Sequence, residues 1–326
     1  MSNKETLQSY NERLETNNTN LDSIMETINN LPEQGAEVEP PELGLVFSKY
    51  DEDGFPTKVD VYGAYTVPES AFRGDSYMIM SKRIKELEIH DANATISKNC
   101  FYNSGIEKVT ALNGSLMGTN VFESSPLKSA TLLNRATIPD YTFQNCTSLE
   151  EVNIASTKMT KIGNYAFYNC HRLKTIEIPE GVTNTYLYAF NGCSSLNIKT
   201  LPDSIKTIDR GLFANCKSLV QMSIKNATTI SSSDASTGCF YNCTNLRAVW
   251  MPSVSNSFGG HTFSNCTNLK RIYWARTRTQ MESNSSALHF WSNNTVHPDC
   301  RIICKDDEDY ITKEEFDAID WETYEM

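Results

Sequence analysis

A short block centred on phenylalanine recurs along the chain and restricts it to a repeat architecture. The fullest copies read Phe-x-Asn-Cys, and successive blocks are spaced 21 to 27 residues apart. Their phenylalanines are Phe101, Phe122, Phe143, Phe167, Phe190, Phe213, Phe240 and Phe263. This period falls within the range of leucine-rich repeats and outside those of ankyrin, tetratricopeptide and propeller repeats. The chain is therefore predicted to form coils that bury their apolar faces by stacking on one another.

A second pattern, Leu-x-x-apolar-x-apolar, follows most of these blocks and predicts one short strand per coil. Leu149, Val152 and Ile154 form a clear copy, in which the last two residues are two apart and so lie on one face of a strand. Equivalent strands of successive coils are expected to pair in parallel. At 196–201 the offsets shift, and we expect a bulge in that coil.

The chain resembles the Treponema-type, or BspA-like, leucine-rich repeat family most clearly at residues 166–182, which read AFYNCHRLKTIEIPEGV. The resemblance covers about residues 70–304, with degenerate coils before Thr142 and at 196–201. It implies a leucine-rich solenoid used for adhesion and for protein or glycan binding on bacterial, viral or protist surfaces, and it implies no particular ligand. The predicted fold class is an α/β repeat solenoid with parallel strands on one face, preceded by an N-terminal coiled-coil helix.

The sequence predicts five segments, which differ in composition and periodicity. They are an N-terminal helix (1–31), an acidic linker containing proline (32–43), a hairpin cap (44–69), the leucine-rich solenoid (70–304) and an acidic C-terminal cap (305–326). The hairpin is predicted because two apolar runs flank a turn that contains aspartate, glycine and proline.

The N-terminal helix carries an apolar heptad strip with one polar position inside it. The residues predicted to mediate oligomerisation are Leu7, Leu14, Asn17, Leu21, Ile24 and Ile28. Such a strip is typical of a coiled-coil seam, in which a single asparagine selects register and strand number. We expect a dimer or trimer that also anchors to a virion or another partner through this helix. The alternative is an amphipathic helix folded back on its own solenoid, because fewer than four heptads are short for an isolated coiled coil.

Six of the ten cysteines occupy one repeat position and are interpreted as a structural column. They are Cys146, Cys170, Cys193, Cys216, Cys243 and Cys266. Side chains in such a column point the same way, which disfavours disulfides, so free core thiols are predicted. The asparagine that precedes most of them suits a turn in which its amide bonds loop backbone.

Charge and motif patterns argue against several function classes. Residues 91–290 carry 18 basic and 12 acidic residues without a basic cluster, which argues against nucleic acid as a partner. No apolar run is long enough to insert into a membrane. The five histidines are scattered, no phosphate loop or nucleophile elbow is present, and the protein is predicted not to be an enzyme and to need no cofactor.

Two metal interpretations near the C-terminus are weaker than their structural alternatives. Residues 306–316 resemble the second half of a calcium loop, but its turn glycine is absent, so Thr312 and Glu315 are interpreted as a helix capping box. His297, Cys300 and Cys304 suggest a zinc site, but Cys300 and Cys304 lie four residues apart on a predicted strand, about 13 Å along it, which is too far to share one ion. No metal site is predicted.

A candidate binding face is formed by the residue that lies between the two buried positions of each strand. This outward column is Glu88, Thr110, Thr131, Asn153, Glu177, Ser223, Trp250 and Tyr273. Trp250 and Tyr273, with Arg247 and Arg271 nearby, are the predicted ligand-binding residues, because exposed aromatics beside arginine form protein hot spots and sugar-stacking platforms. The alternative is that both rings pack beneath the C-terminal segment.

Taken together, these features predict a structural or adhesive binding protein that recognises a host surface protein or glycan. Residues 1–7 lack the apolar core of a secretory signal, so synthesis in a bacterial cytoplasm is expected. A phage tail or receptor-binding component, located in the virion, fits this expectation because lysis releases it. The alternative is a bacterial or protist adhesin or interaction protein of the same repeat family, at the cell surface by a leaderless route or in the cytoplasm.

Overall fold

The structure is a computed structural model that describes residues 42–74, 79–111, 116–133, 135–224, 226–231, 238–251, 261–283 and 295–325. The helix predicted over 1–31, with its oligomerisation residues, and most of the linker predicted over 32–43 lie outside the described residues. The chain divides into two compact units. Unit 1 comprises Met1–Arg135 and Tyr141–Ser156, and unit 2 comprises Ala136–Asp140 and Thr157–Met326.

Short strands dominate the described residues. The strands are β1 (Gly44–Tyr50), β2 (Pro56–Tyr62), β3 (Thr66–Val67), β4 (Glu86–Ile89), β5 (Thr95–Ile96), β6 (Lys108–Ala111), β7 (Leu116–Met117), β8 (Ser129–Leu133), β9 (Thr137–Ile138), β10 (Glu151–Ala155), β11 (Lys161–Ile162), β12 (Thr175–Ile176), β13 (Asn184–Thr185), β14 (Thr207–Ile208), β15 (Gln221–Ser223), β16 (Thr229–Ile230), β17 (Ala248–Met251), β18 (Arg271–Trp274) and β19 (Arg301–Cys304). The helices among these residues are α1 (Ile79–Arg83), α2 (Arg278–Glu282) and α3 (Lys313–Ala318).

The larger sheet of unit 1 contains six of the strands of that unit, in the order β1-β2-β4-β6-β8-β10. The β1 and β2 strands form an antiparallel hairpin, and every later strand joins its neighbour in parallel. Alternate residues are buried, such as Val59 and Val61 on β2 and Leu87 and Ile89 on β4. A second parallel sheet, of order β3-β5-β7, forms the other side of these coils.

Unit 2 also has two parallel sheets. One has the order β16-β14-β13-β11-β9, and the other has the order β15-β17-β18-β19. Residues 196–201 form no strand, and only an isolated bridge joins Thr200 to Ser223. The two units therefore share a parallel-strand β-solenoid architecture. Because the helices among the described residues span five or six residues each, the α/β label predicted for the fold is not confirmed.

Stacked phenylalanines form the core of each unit. In unit 1 the rings of Phe72, Phe101, Phe122 and Phe143 follow one another with centroids 5.0 to 5.7 Å apart. In unit 2 the rings of Phe167, Phe190, Phe213, Phe240 and Phe263 do the same at 5.2 to 5.7 Å. All are fully buried. The phenylalanine register is confirmed, and Phe72 extends it by one coil that the sequence pattern missed.

The cysteine column is also confirmed as packing. All ten cysteines are free and buried. The thiol of Cys193 donates to the carbonyl oxygen of Phe167 at 3.1 Å, and that of Cys266 donates to Phe240 at 3.0 Å. Each of these thiols thus bonds the phenylalanine backbone of the preceding coil, which satisfies the only polar group that the cysteine brings into the core.

The asparagines before these cysteines occupy left-handed turns. Asn145, Asn169, Asn215, Asn242 and Asn265 have φ between 57° and 62°, a region that asparagine tolerates better than most residues. The equivalent position in another coil is Gly192, with φ of 78°. The amide of Asn242 donates to the side-chain oxygen of Asn215 at 2.8 Å, so this amide bonds from coil to coil, whereas a bond to loop backbone was predicted.

Candidate functional site

The predicted aromatic pair lies where the repeat register places it. Trp250 on β17 is paired in parallel with Tyr273 on β18, and Tyr273 is paired with Ile303 on β19. The side chains of Trp250 and Tyr273 are only 8% and 6% exposed. The expectation that both rings are accessible is therefore wrong, and the alternative that they are covered by the C-terminal segment is correct.

The covering segment packs two aromatic side chains onto this face. Phe316 on α3 meets Tyr273 edge-on, with ring centroids 5.9 Å apart, and Trp321 lies 6.1 Å from the same ring. The indole nitrogen of Trp250 donates to the carbonyl oxygen of Ile311 at 3.4 Å. We call the segment 305–325 the C-terminal cap. Burial within this cluster raises the pKa of Tyr273 to about 12.

The capping box predicted for Thr312 and Glu315 is confirmed. The Thr312 hydroxyl accepts from the Glu315 amide, and the Glu315 carboxylate accepts from the Thr312 amide at 2.8 Å. These reciprocal bonds start α3 at Lys313 and leave its Phe316 facing the sheet. The residues that resemble half of a calcium loop therefore form the start of the helix in the C-terminal cap.

The two arginines that are predicted to bind a ligand form hydrogen bonds to the protein's own backbone instead. Arg247 donates to the carbonyl oxygens of Trp321, Glu322 and Tyr324 at 2.6 to 2.8 Å, so it holds the C-terminal cap in place. Arg271 is half-buried and donates to the carbonyl oxygen of Lys270 at 3.0 Å. Neither guanidinium lies beside an accessible aromatic ring of the predicted pair.

Unit 1 presents the same strand position to the outside. We call this side of its six-stranded sheet the outer face. Its central row, paired strand by strand, is Val46, Asp60, Glu88, Thr110, Thr131 and Asn153. Thr110 and Thr131 are half-buried, and Asn153 is exposed. Within the described part of the chain, no segment lies across this row as the C-terminal cap does in unit 2.

A charged cluster occupies the hairpin end of the outer face. Asp60 is 4% exposed, and its Oδ1 lies 2.8 Å from Nζ of Lys58 and 2.8 Å from Nε2 of His90. Lys58 also bonds Glu88 at 2.7 Å. Burial opposes the charge on Lys58, but the hydrogen bonds and charges of Asp60 and Glu88 outweigh it and raise the pKa of the ammonium well above its usual range.

Asp60, Glu88 and His90 are also close enough to be considered as metal ligands. One potential ligand atom from each lies within 4.8 Å of the others, the one such group among the residues that the structure describes. The ammonium of Lys58, however, already bonds both carboxylates. A cation would have to displace this internal charge, so the group is better explained as an ion-pair network than as a metal centre.

An aromatic pair completes this end of the face. Tyr62 and His90 stack with centroids 4.3 Å apart and planes 4° apart. From the sequence, the run Lys58-Val59-Asp60-Val61-Tyr62 is predicted only as a strand of the hairpin cap. Its strict alternation of polar and apolar residues places Lys58, Asp60 and Tyr62 on one face, and that signal alone would have pointed to a polar surface here.

In the described part of the chain, no helix is long and apolar enough to cross a membrane.

Comparison with known proteins agrees with this architecture. A family model for the BspA type leucine rich repeat region matches residues 74–197 and 136–270, which together cover more than half of the chain. No curated protein matches the chain.

Several solved structures are similar at low identity. A leucine rich repeat protein of T. pallidum is 20% identical, with 68% of this chain and 87% of that chain covered and a TM-score of 0.42. A leucine rich cell surface protein of Faecalibacterium prausnitzii is 17% identical, with coverage of 72% and 92% and a TM-score of 0.33. The pneumococcal vaccine antigen PcpA is 15% identical, with coverage of 78% and 86% and a TM-score of 0.32.

Proposed function

Because the chain belongs to the family of the BspA type leucine-rich repeat, we propose that it is a binding protein that recognises a macromolecule through the outer face of unit 1. One observation carries this proposal: at the outward strand position, Thr110, Thr131 and Asn153 of unit 1 are at least partly exposed, whereas Trp250 and Tyr273 of unit 2 are buried beneath the C-terminal cap.

The outer face has the physical properties of a recognition surface. Its six strands are about 4.8 Å apart, so the face extends roughly 24 Å across the sheet. The side chains of this face alternate along each strand with residues that are buried in the core. On β10, for example, Asn153 is exposed and the next residue, Ile154, is buried. A ligand that docks here loses little affinity to ordering of the protein, because the backbone is already held by the stacked coils.

The place of action is proposed to be a surface, of a virion or of a cell. A phage tail or receptor-binding component and a bacterial or protist surface adhesin use the same face in the same way. Neighbouring genes separate the two, since tail and lysis genes favour the virion and secretion or cell-wall genes favour the cell. The protein is proposed to act without catalysis and without a cofactor.

The decisive experiment is a screen of the full-length protein against host-surface proteins and glycans, repeated with charge-introducing variants. Thr131→Arg or Asn153→Arg places a long cation in the centre of the outer face and is expected to weaken ligand binding at least tenfold, about 1.4 kcal/mol. Thr183→Arg makes the same kind of change at an exposed position of unit 2 and serves as the control. Equal binding by all three variants would place the ligand elsewhere.

Assembly through residues 1–31 is proposed as the means of presenting several outer faces together. Deleting these residues is expected to convert a dimer or trimer into a folded monomer, as measured by light scattering. A full-length chain that is monomeric at micromolar concentration would favour the folded-back helix instead.

A further inference from the structure

The coil at 196–201 departs from the repeat of unit 2 and forms a bulge. Its buried residues Ile198 and Leu201 are three positions apart, whereas the repeat pattern places such residues two apart. The two residues between them, Lys199 and Thr200, are both exposed. One extra residue of this kind disrupts the hydrogen bonding of a strand with its neighbour.

The bulge makes few backbone hydrogen bonds to the preceding coil, which contains β12. The amide of Asn197 donates to the carbonyl oxygen of Lys174 at 2.9 Å. Beyond that bond, no backbone hydrogen bond links residues 175–178 to residues 198–202, all of which the structure describes. Two neighbouring coils of unit 2 are therefore separated along this line, which we call the sheet split.

The coil stays paired on its other side. Ser223 on β15 donates to the carbonyl oxygen of Lys199 at 2.8 Å and accepts from the amide of Leu201 at 3.1 Å. By contrast, the backbone N–H groups of Ile198, Lys199 and Thr200 donate no hydrogen bond to any other described residue. Unpaired N–H groups along an extended segment are a template for pairing with another chain.

A cavity lies along the sheet split. Its volume is about 550 Å³, and it is lined by residues 175–178 and 180 on one side and by residues 197–202 on the other. This volume falls within the range of ligand pockets, about 300 to 1,000 Å³. The residues with unpaired N–H groups are among those that line it, so they border space that a ligand can enter.

The two rims of this cavity carry opposite charges. Glu177 and Glu180 lie on the β12 side, and Lys199 lies on the other side; all three are exposed. The carboxylate of Glu180 accepts from the amide of Asp203 at 3.4 Å, whereas Glu177 and Lys199 form no ion pair with any described residue. None of the described lining residues is aromatic, so the cavity offers no ring on which a sugar would stack.

We infer that the sheet split binds an extended segment of a protein partner, which pairs as an added strand with the backbone of residues 198–200. In such binding the main-chain hydrogen bonds supply affinity, and pockets for side chains supply specificity. A basic side chain of the segment meets Glu177, and an acidic one meets Lys199. This site lies in unit 2 and is a second binding site, beyond the outer face of unit 1.

The test begins with a displayed library of short random peptides that is selected on the full-length protein. The best selected peptide is synthesised and titrated by calorimetry. Lys199→Glu is expected to weaken its binding about tenfold, because the charge on one rim is reversed. Lys217→Glu makes the same change at an exposed lysine of unit 2 that does not line the cavity, and it is the matched control. A peptide N-methylated at alternate residues loses its main-chain donors and is expected not to bind.

Hydrogen exchange measures the added strand directly. In the free protein the amides of Ile198, Lys199 and Thr200 are expected to exchange faster than that of Leu201, which is bonded to Ser223. The selected peptide is expected to slow exchange at Ile198 or Thr200 at least tenfold and to leave Leu201 nearly unchanged. Docking through side chains alone would not slow these amides.

Four results would overturn the inference. The first is that no peptide is selected, and the second is equal binding by Lys199→Glu and Lys217→Glu. The third is equal binding of the N-methylated peptide, or slow exchange of residues 198–200 in the free protein. The fourth is a glycan whose binding is lost in Lys199→Glu, which would assign the cavity to saccharides. Ligand binding that depends on Thr131 and Asn153 would still support the proposed function in each case, since those residues belong to unit 1.

Discussion

The outward strand position is at least partly exposed in three coils of unit 1 and buried in the last coils of unit 2. In unit 1 it carries Thr110, Thr131 and Asn153, which are small, polar and at least partly exposed. In the last coils of unit 2 it carries Trp250 and Tyr273, which are buried against the C-terminal cap, whereas Glu177 in an earlier coil of unit 2 is exposed. The repeat thus specifies which way a side chain points, and the residue type determines whether water or protein covers it.

The energetic reason for this difference is apolar area. Burying an aromatic side chain gains on the order of 2 to 3 kcal/mol, so a cap that brings Phe316 and Trp321 onto Trp250 and Tyr273 is stabilised by several such contributions. Among the residues that the structure describes, the buried side-chain nitrogen of Gln221, on the strand β15 that α3 contacts, has no hydrogen-bond partner, at a cost of about 1 to 3 kcal/mol. Aromatic burial therefore outweighs this polar cost, and a cap over threonine and asparagine would gain no comparable area.

The largest expected effect is loss of the buried aromatic pair. The double variant Trp250→Ala with Tyr273→Ala is expected to lower the free energy of unfolding by roughly 6 kcal/mol, because each truncation leaves a cavity beneath the cap. Urea denaturation measures this. Tyr62→Ala, at the outer face of unit 1, is the control and should cost clearly less, because its ring is only partly buried. A double variant with an unchanged urea midpoint would show that the cap does not bury these rings.

A smaller loss is expected in the phenylalanine stack that both units share. Phe190→Ala is expected to cost about 3 to 5 kcal/mol and to melt neighbouring coils together, since its ring stacks on Phe167 and Phe213. Phe122→Ala in unit 1 should cost the same amount, because its ring spacings are similar. Thermal melting measures the loss of stability in each variant. A clear difference between the two losses would mean that the phenylalanine stacks of the two units are packed differently.

A still smaller effect is expected where one arginine holds the cap. Arg247→Ala removes bonds to three carbonyl oxygens and is expected to cost about 2 kcal/mol, seen as faster hydrogen exchange in α3. Arg271→Ala, which loses one bond to Lys270, should leave exchange in α3 nearly unchanged. Similar hydrogen exchange in α3 of both variants would show that Arg247 does not hold the C-terminal cap in place.

The smallest effect concerns thiol reactivity. Burial raises the pKa of Cys304 to about 11 and that of Cys300 to about 12. At pH 8 the thiolate fraction of Cys304 is therefore about a hundredfold below that of an ordinary thiol, and its labelling should accelerate as pH rises toward 11. Mass spectrometry after iodoacetamide treatment tests this. In denaturant all ten cysteines should label, and three or more protected pairs would indicate disulfides.

Much of the fold was predictable because the same sequence pattern recurs in many coils. The phenylalanine spacing and the Leu-x-x-apolar-x-apolar pattern predicted the core positions and the parallel pairing of Trp250 with Tyr273. The coil at Phe72 was missed because 29 residues separate it from Phe101, outside the period of the other blocks. The candidate site was less predictable, because the hairpin occurs once and offers no internal copies for comparison.

The sequence by itself determined the coil, its register and the direction of each strand side chain, because these follow from local spacing that every repeat restates. Only the tertiary structure decided which outward residues stay accessible. Phe316 and Trp321 lie in an acidic segment more than forty residues beyond Tyr273, and nothing in their local pattern says which face they cover. That outcome depends on apolar area gained across a long sequence separation.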